Sequence, residues 1–161
     1  MISKTNAMRA LDQRRIAYSA YDYSADIHSA DGVAVALGVS PSEVFKTLVV
    51  LRERGRPMLV IVPGDRELAP RVFARSVGEK AVRMAPHREA EQLTGLQVGG
   101  ISALALLGRG FDIFIDKAAL AHEQIFVSAG RRGTNLRLKV ADLIAVTGAK
   151  AVEASTESPG A

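Results

Sequence analysis

The hydrophobic residues of this chain fall into short runs separated by turn-forming residues, and several of these runs have the character of strands. The run at 44–51 reads Val-Phe-Lys-Thr-Leu-Val-Val-Leu, and its β-branched and apolar side chains favour a strand in the interior of a sheet. A second run, at 58–62, follows a glycine-containing turn, so the two runs are predicted to pair antiparallel. Further extended segments are predicted at 16–23, 81–84, 111–116, 124–128 and 135–139.

Other segments have helical spacing, and most of them end at a glycine that can adopt the left-handed conformation of a helix C-terminus. The run Ser40-Pro41-Ser42-Glu43 is a capping box with proline at the first helical position, so it predicts a short helical turn before 44–51. We expect one domain over 1–152 and a disordered tail over 153–161, where most residues are small or polar. The predicted helices cover 3–14, 29–37, 70–77, 86–94 and 141–146.

Lys46 is the one charged residue in the run at 44–51. Moving an ammonium group out of water is costly unless a partner or a polar cavity compensates its charge. Either the side chain reaches water from the end of the strand, or a functional site lies beside it. The hydrophobic pattern alone leaves both interpretations open.

The composition limits the chemistry that this chain can perform. Its 161 residues, 48% of them hydrophobic, suffice for one domain with a core of its own. The absence of cysteine excludes disulfides, thiolate metal sites and a cysteine nucleophile. The spacing of His28, His87 and His122 matches no zinc motif, so we expect no metal and no cofactor. No window approaches the roughly 20 apolar residues of a membrane helix, and residues 1–18 lack the apolar centre of a signal peptide, so we expect a cytoplasmic protein.

Basic residues are in excess, with a formal net charge of +4. Many of them cluster, and such clusters either solvate turns and helix faces or form a surface for a polyanion such as nucleic acid. Aromatic residues make up only 5% and tryptophan is absent, which argues against a base-stacking platform along a single strand. The clusters consist of Arg52, Arg54 and Arg56, of Arg66, Arg71 and Arg75, and of Arg131, Arg132, Arg137 and Lys139.

Two loops contain residue types that suit a binding site. The segment 96–103 reads Leu-Gln-Val-Gly-Gly-Ile-Ser-Ala, and its paired glycines either form a structural turn or bring backbone N–H groups close to a ligand. The segment 128–133 reads Ser-Ala-Gly-Arg-Arg-Gly, a turn that can hold a phosphate. Together with Lys46, these loops suit the stabilisation of a developing oxyanion, with water or the substrate itself as the nucleophile.

Three segments, in this order and at these separations, resemble the YbaK/EbsC family of aminoacyl-tRNA deacylases, which is related to the editing domain of bacterial prolyl-tRNA synthetases. They are Val44-Phe45-Lys46-Thr47-Leu48, Val98-Gly99-Gly100-Ile101-Ser102 and the turn at 127–133. The similarity extends over nearly the whole chain, to about residue 151. It implies a single domain with an α+β fold, in which helices surround a mixed, barrel-like β-sheet.

The activity that this resemblance implies is deacylation of mischarged tRNA in trans, without a cofactor, either by hydrolysis of the ester bond or by a substrate-assisted lyase reaction. Cysteinyl-tRNA(Pro) is the first choice of substrate, and alanyl, seryl or threonyl esters are the alternatives. Mischarged tRNA and prolyl-tRNA synthetase are the partners that it suggests. The competing interpretation is a non-catalytic module of the same fold that binds tRNA or a synthetase.

The same resemblance implies roles for individual residues. Lys46 would neutralise negative charge near the acyl ester or the terminal phosphate. The N–H groups of Gly99, Gly100 and Ile101 would bind the carbonyl oxygen as it becomes an oxyanion. The residues implied in substrate binding are Tyr21, Thr47, Ser102, Ser128, Gly130 and Asn135.

Tyr18, Tyr21 and Tyr23 are the only tyrosines of the chain. Amphipathic side chains of this kind cover the edge of a sheet, or they line the mouth of a pocket. The pocket alternative concerns Tyr21 and Tyr23, and the resemblance favours Tyr21.

The sequence departs from the family pattern at three places. Ala103 stands where proline is usual, so the fixed φ of proline is lost. Asn135 stands where a pocket aspartate is expected, which keeps hydrogen bonding and loses a charge. Ser24-Ala25 replaces an Asp-Pro pair. These differences leave the expected fold intact and the choice of substrate open.

Overall fold

The computed structural model describes residues 3–158. The α-helices within that range are α1 (Asn6–Gln13), α2 (Ala30–Leu37), α3 (Pro70–Val77), α4 (His87–Thr94) and α5 (Val140–Thr147). The strands are β1 (Ser19–Asp22), β2 (Phe45–Arg52), β3 (Met58–Pro63), β4 (Arg66–Leu68), β5 (Val82–Met84), β6 (Asp112–Asp116), β7 (Gln124–Ser128), β8 (Thr134–Lys139), β9 (Lys150–Val152) and β10 (Ser155–Glu157). Short 3₁₀ turns lie at Pro41–Glu43, Leu104–Leu106 and Lys117–Ala121.

The strands form three sheets. The largest is a mixed sheet in the order β5-β2-β3-β6-β9, in which β2 runs antiparallel to β3 and β5, while β3, β6 and β9 run parallel. An antiparallel sheet has the order β1-β8-β7, and β4 pairs with β10. A single parallel bridge between Val44 and Phe126 links the two larger sheets. The predicted α+β class with a mixed sheet is confirmed, and the strands within residues 3–158 form no closed barrel.

The mixed sheet is buried on both faces, which explains why its central strands are apolar. All six residues of β3 are buried. One face packs against α3, where the rings of Phe73 and Phe114 meet edge to face with centroids 5.3 Å apart. The other face packs against α1, α5 and the antiparallel sheet, through Leu11, Leu59, Ile61, Ile125, Leu136 and Leu143.

The start of β2 is positioned as the sequence predicted. Ser40 and Glu43 form the capping box, with the Ser40 N–H donating to the Glu43 carboxylate at 3.0 Å. The chain then enters β2, and Lys46 lies opposite Val62 of β3 in the predicted antiparallel pair. The capped turn and the β2–β3 register therefore fix the position of the Lys46 Cα.

The end of the chain differs from the expected disordered tail. Ser155–Glu157 form β10, which pairs with β4. Arg66 donates to the Ser155 hydroxyl at 2.7 Å, and the Ala154 N–H donates to the buried Asp116 carboxylate at 2.9 Å. These contacts contradict the predicted disorder over 153–158, and residues 159–161 lie outside the described range. Small polar residues had indicated disorder, but distant hydrogen-bond partners hold this segment.

Each α-helix in residues 3–158 has eight residues, which is far shorter than a membrane span requires. No helix in the described part of the chain could therefore cross a membrane.

Candidate active site

A cavity of about 250 Å³ lies against the edge of β2. On that side, Val44, just before β2, is bridged to β7, and β2 pairs with β5 only over Val50–Arg52, which leaves an open edge between these contacts. The first turns of α2 and α4, the loop at 98–101 and the ends of β7 and β8 complete the walls. The cavity brings together these predicted site residues: Lys46, Thr47, Gly99, Ile101, Ser128 and Asn135.

Lys46 is half-buried and lines this cavity. Among the four ion pairs within residues 3–158, none involves Lys46, and the described residues provide no hydrogen-bond partner for its ammonium group. Asp31, at the start of α2, lines the same cavity without an ion pair to Lys46. The strand position and the cavity together give an uncompensated cation facing a space that a ligand can enter.

Two side chains anchor the glycine loop that forms one wall. The Val98 N–H donates to the Glu91 carboxylate at 2.8 Å, and Arg132 donates to the Val98 carbonyl at 2.7 Å. The backbone at Gly100 lies so close to the turn at 131–132 that a Cβ there would meet an Arg132 backbone nitrogen at 2.8 Å. Glycine is therefore required at this position by close approach of two loops, and the two predicted loops are in contact.

The predicted set of three oxyanion donors needs a correction. The Gly100 N–H donates to the Gln97 carbonyl at 2.8 Å, so it is already occupied, and Gly100 does not line the cavity. Gly99, with φ of 93°, and Ile101 do line it. Neither of their N–H groups has a protein acceptor within the described range. The loop therefore offers two free donors beside the cavity, because the turn itself consumes the third.

Tyr23 lines the cavity, whereas Tyr21, the tyrosine predicted for the pocket, does not. Tyr21 packs edge to face on Phe126 with ring centroids 5.5 Å apart, whereas Tyr23 lines the cavity. Residues two apart in a strand lie on the same face, so the sequence pattern could not distinguish Tyr21 from Tyr23 as the residue at the pocket. Burial raises the pKa of the Tyr23 phenol, which therefore stays neutral at physiological pH.

Asn135 is buried at the base of the cavity, with 4% of its surface exposed. Its amide nitrogen donates to the Tyr23 hydroxyl at 2.8 Å. Its amide oxygen is buried without a hydrogen-bond partner among residues 3–158. A buried acceptor left unpaired is costly, so the hydrogen bonding of Asn135 is incomplete among the described residues.

Two predicted site residues lie behind the walls of the cavity. The buried Ser102 hydroxyl accepts from the Ala105 N–H at 3.2 Å, and the Gly130 N–H donates to the Ser128 hydroxyl at 3.1 Å. Gly130 has φ of 99°, a conformation that favours glycine. Ser102 and Gly130 thus shape the two loops, and Ser128 is the member of this group that lines the cavity.

The rim of the cavity contains residues that the sequence did not single out. His28, Asp31, Met84 and His87 are exposed and line its opening. The histidines had been considered only as metal ligands, and residues 3–158 contain no group of three or more side chains suited to a metal. The available signal was that His28 and His87 each lie at the start of a predicted helix.

Many of the clustered arginines have structural partners. Arg52 contacts the carboxylates of Glu79 and Asp112, Arg66 holds Ser155, and Arg131 donates to Thr134 and to the Ser3 carbonyl. Clustering in the sequence therefore did not identify free cations, because several of these side chains hold the fold together.

Comparison with known proteins identifies the same family that the segments at 44–48, 98–102 and 127–133 indicated. A family model described as an aminoacyl-tRNA editing domain matches residues 24–146. EbsC of Enterococcus faecalis, named as a candidate Cys-tRNA(Pro)/Cys-tRNA(Cys) deacylase, is 33% identical over 156 residues, which are 96% of this chain and 94% of that protein. A proline–tRNA ligase of Thermodesulfovibrio yellowstonii is 34% identical over 77 residues, which are 48% of this chain and 13% of the ligase.

The fold also matches solved structures. A hypothetical protein, APE2540, superposes with a TM-score of 0.86 and 28% identity, over 94% of this chain and 99% of that one. A family model that spans most of the chain and a relative that matches nearly all of it agree with each other. This chain therefore belongs to the aminoacyl-tRNA editing domain family.

Proposed function

We propose that this chain is a trans-editing deacylase that hydrolyses the ester bond between a mischarged amino acid and the 3′ end of its tRNA. The observation that carries the proposal is that Lys46, whose ammonium is unpaired among residues 3–158, lines the same cavity as Gly99 and Ile101, whose N–H groups have no protein acceptor in that range. Such an arrangement suits an ester, whose carbonyl oxygen gains negative charge as the nucleophile attacks.

In this proposal, Gly99 and Ile101 donate to the developing oxyanion. Donors aimed at such a charge contribute much to catalysis, and the loss of one typically lowers the rate by about 10²- to 10³-fold. The Lys46 ammonium adds positive charge, either at the oxyanion or at the phosphate next to the terminal ribose. The hydroxyls of Thr47 and Ser128 position the substrate.

The nucleophile in this proposal comes from outside the chain. The sequence has no cysteine. No hydrogen bond within residues 3–158 joins Thr47 or Ser128 to a histidine or a carboxylate, so neither hydroxyl has a base that would activate it. The remaining candidates for the nucleophile are water, the ribose 2′-hydroxyl and a thiol of the substrate. Attack by a cysteinyl thiol on its own carbonyl would expel tRNA and leave a cyclic thiolactone, so the first product distinguishes a lyase from a hydrolase.

The dimensions of the cavity support a small amino acid. At about 250 Å³ it lies below the roughly 300 to 1,000 Å³ of pockets for drug-sized ligands. We propose that substrate binding opens the wall at Asn135, so that its amide oxygen, buried without substrate, accepts from the α-ammonium group or from a side-chain hydroxyl or thiol. Cys-tRNA(Pro) is our first choice, supported by the name of the relative EbsC, and alanyl, seryl and threonyl esters are the alternatives.

The non-catalytic alternative rested on the departures at Ala103 and Asn135. Ala103 has φ of −63°, which is close to the value that proline would impose, so the backbone next to the loop is retained. Asn135 keeps its hydrogen bond to Tyr23. Both features favour an intact site and hence the enzyme over the binding module.

Mischarged tRNA is the partner that this function requires, and prolyl-tRNA synthetase is the second partner that we propose. The match to part of a proline–tRNA ligase supports the link, since a free-standing editing domain would act on the tRNA that such a ligase mischarges. We place the protein in the cytoplasm because its proposed substrate is formed there.

The proposal is tested by release of labelled amino acid from a panel of tRNA(Pro) and cognate tRNAs carrying cysteine, alanine, serine or threonine. We expect the native protein to release at least one of these amino acids and Lys46→Ala to be at least about 100-fold slower. Lys80→Ala is the matched control, since Lys80 is an exposed lysine that does not line the cavity, and it should keep full activity. Equal rates for the native protein and Lys46→Ala on every ester would overturn the proposal.

A further inference from the structure

Outside the cavity, a groove with only basic charged residues runs along α1. One part, of about 400 Å³, is lined by Arg9, Arg14 and Arg109. A second part, of about 230 Å³, continues to Leu96 and Gly130, and the two parts share Asn6, Ala105 and Arg109. We call this continuous surface the arginine groove. None of its three arginines belongs to the clusters noted in the sequence. They come together only in the folded protein, because Arg109 lies far along the chain from α1.

The positive charge of the arginine groove is not neutralised by the described protein. No aspartate or glutamate lines it, and none of the ion pairs within residues 3–158 involves its three arginines. Arg9 donates to the neutral Asn6 amide at 3.1 Å, and Arg14 donates to the Ala10 carbonyl at 2.9 Å. The carboxylate of Asp12 is paired with Lys4 and does not line the groove. All three arginines are exposed, so an anion in the groove would meet a net charge of three.

The arginine groove borders the cavity. Gly130 lines the groove, and Ser128, two residues before it, lines the cavity. In the same way, Leu96 lines the groove and Val98, two residues later, lines the cavity. Two residues of chain span at most about 7 Å. The groove and the cavity are therefore separated by the thickness of two loops, which are packed on each other at Gly100.

We propose that the arginine groove binds the phosphate backbone of the tRNA acceptor stem close to its 3′ end. This inference rests on the proposed function, since an ester held in the cavity requires the adjoining nucleotides to leave it across a neighbouring surface. Arginine binds phosphate with two parallel hydrogen bonds, and double-stranded RNA is recognised mainly through its phosphates and 2′-hydroxyls. An acidic protein segment would also match the charge, but the contact with the cavity favours the RNA.

The test compares two triple variants with the same change in net charge. Arg9→Ala/Arg14→Ala/Arg109→Ala removes the groove, and Arg54→Ala/Arg71→Ala/Arg75→Ala removes three exposed arginines that line neither space. Binding of deacylated tRNA is measured by fluorescence anisotropy between about 50 and 200 mM salt. We expect the groove variant to bind deacylated tRNA at least tenfold more weakly than the native protein. The slope of log K against log salt should also be shallower by about two to three, because each lost phosphate contact lowers it by roughly 0.7 to 0.9. The control variant should bind like the native protein.

A second readout separates the groove from the chemistry of the cavity. The groove variant should raise KM for full-length aminoacyl-tRNA and leave kcat unchanged, and it should hydrolyse an aminoacylated CCA trinucleotide like the native protein. Thermal unfolding checks that both variants fold, and Arg109→Glu alone, a single surface change, repeats the test with charge reversal. Native-like tRNA binding by the folded groove variant and by Arg109→Glu would overturn the proposal, as would equal weakening by the control. Selective loss of synthetase binding would also overturn it, in favour of a protein partner.

The outcomes also separate this inference from the proposed function. Deacylated tRNA carries no ester, so its binding does not require hydrolysis. A native protein that binds tRNA through the groove and releases no amino acid would refute the proposed function alone. If the native protein releases amino acid and the groove variant has the same KM and the same tRNA affinity, only the proposal for the groove is refuted.

Discussion

Strand β2 carries a cation near each end, and the surroundings of the two are opposite. Arg52, at the far end, contacts the carboxylates of Glu79 and Asp112, and its side chain is only 13% exposed. Lys46, near the start, lines a cavity and contacts no carboxylate within residues 3–158. Removing a cation from water is costly without compensation, and only Arg52 receives that compensation from the fold. The difference teaches that a cation in an apolar strand is informative about function only after its partners are known.

The same distinction applies to the arginines as a group. Arg66, Arg131 and Arg132 belong to clusters in the sequence, yet all three make hydrogen bonds that hold loops or strands. Arg9 and Arg109 lie outside these clusters and line a groove, and neither pairs with a carboxylate or holds a distant segment among residues 3–158. Free cations, rather than clustered ones, mark the surfaces that are open to an anion.

The largest expected effect is that of Lys46→Met, which removes the charge and keeps a long apolar side chain. We expect kcat/KM for deacylation to fall at least about 100-fold, or about 2.7 kcal/mol. The free energy of unfolding should stay within about 0.5 kcal/mol of the native value, because an unpaired half-buried charge adds no stability. Parallel deacylation and urea unfolding measure both. A stability loss of more than about 2 kcal/mol would mean that Lys46 is structural like Arg52.

Arg52→Met should show the reverse pattern. Breaking a fully buried ion pair costs about 3 to 5 kcal/mol, and the partial exposure of Glu79 and Asp112 reduces this to about 2 kcal/mol here. The activity of the folded fraction should be unchanged. Urea unfolding is the measurement, and Arg54→Met, in the exposed turn next to it, is the control with an expected change within about 0.5 kcal/mol. An activity loss without destabilisation would erase the contrast between the two ends of β2.

The double variant Tyr23→Phe/Asn135→Leu tests the other unpaired group of the cavity. It removes both partners of one hydrogen bond together with the unpaired Asn135 oxygen, so the unfolding free energy should change by less than about 1 kcal/mol. Deacylation should slow by about tenfold, which corresponds to one lost hydrogen bond to the substrate. Steady-state kinetics with the best substrate of the panel gives the answer. Unchanged kinetics would mean that Tyr23 and Asn135 support the fold and do not bind the substrate.

The smallest expected effect is that of Ala103→Pro. Ala103 already has φ of −63°, and its N–H donates to no backbone acceptor within residues 3–158, so proline fits this position. We expect a gain of about 0.4 to 1 kcal/mol in unfolding free energy, through a less flexible unfolded chain. Deacylation should be unaltered, with thermal unfolding as the measurement. A loss of stability would show that the residue before it, Ser102, cannot adopt the extended backbone that proline requires.

Local signals in the sequence determined most of the elements. The apolar run at 44–51, the capping box before it and the glycines after α2, α3, α4 and α5 all correspond to observed features. They could be predicted because hydrophobic period, capping and left-handed glycines act over a few residues. The three short strands β4, β9 and β10 were missed, since three residues carry too little pattern and their partners lie far along the chain.

For the site, the sequence by itself determined the residue types and the family, through Lys46 and the two glycine-containing loops. Only the tertiary structure decided that Tyr23 rather than Tyr21 lines the cavity, that the Gly100 N–H is occupied and that the Asn135 oxygen is unpaired. The physical reason is that hydrogen bonds and desolvation depend on which groups meet in space. Partners such as Arg132 and Val98 are separated along the chain, and only folding brings them into contact.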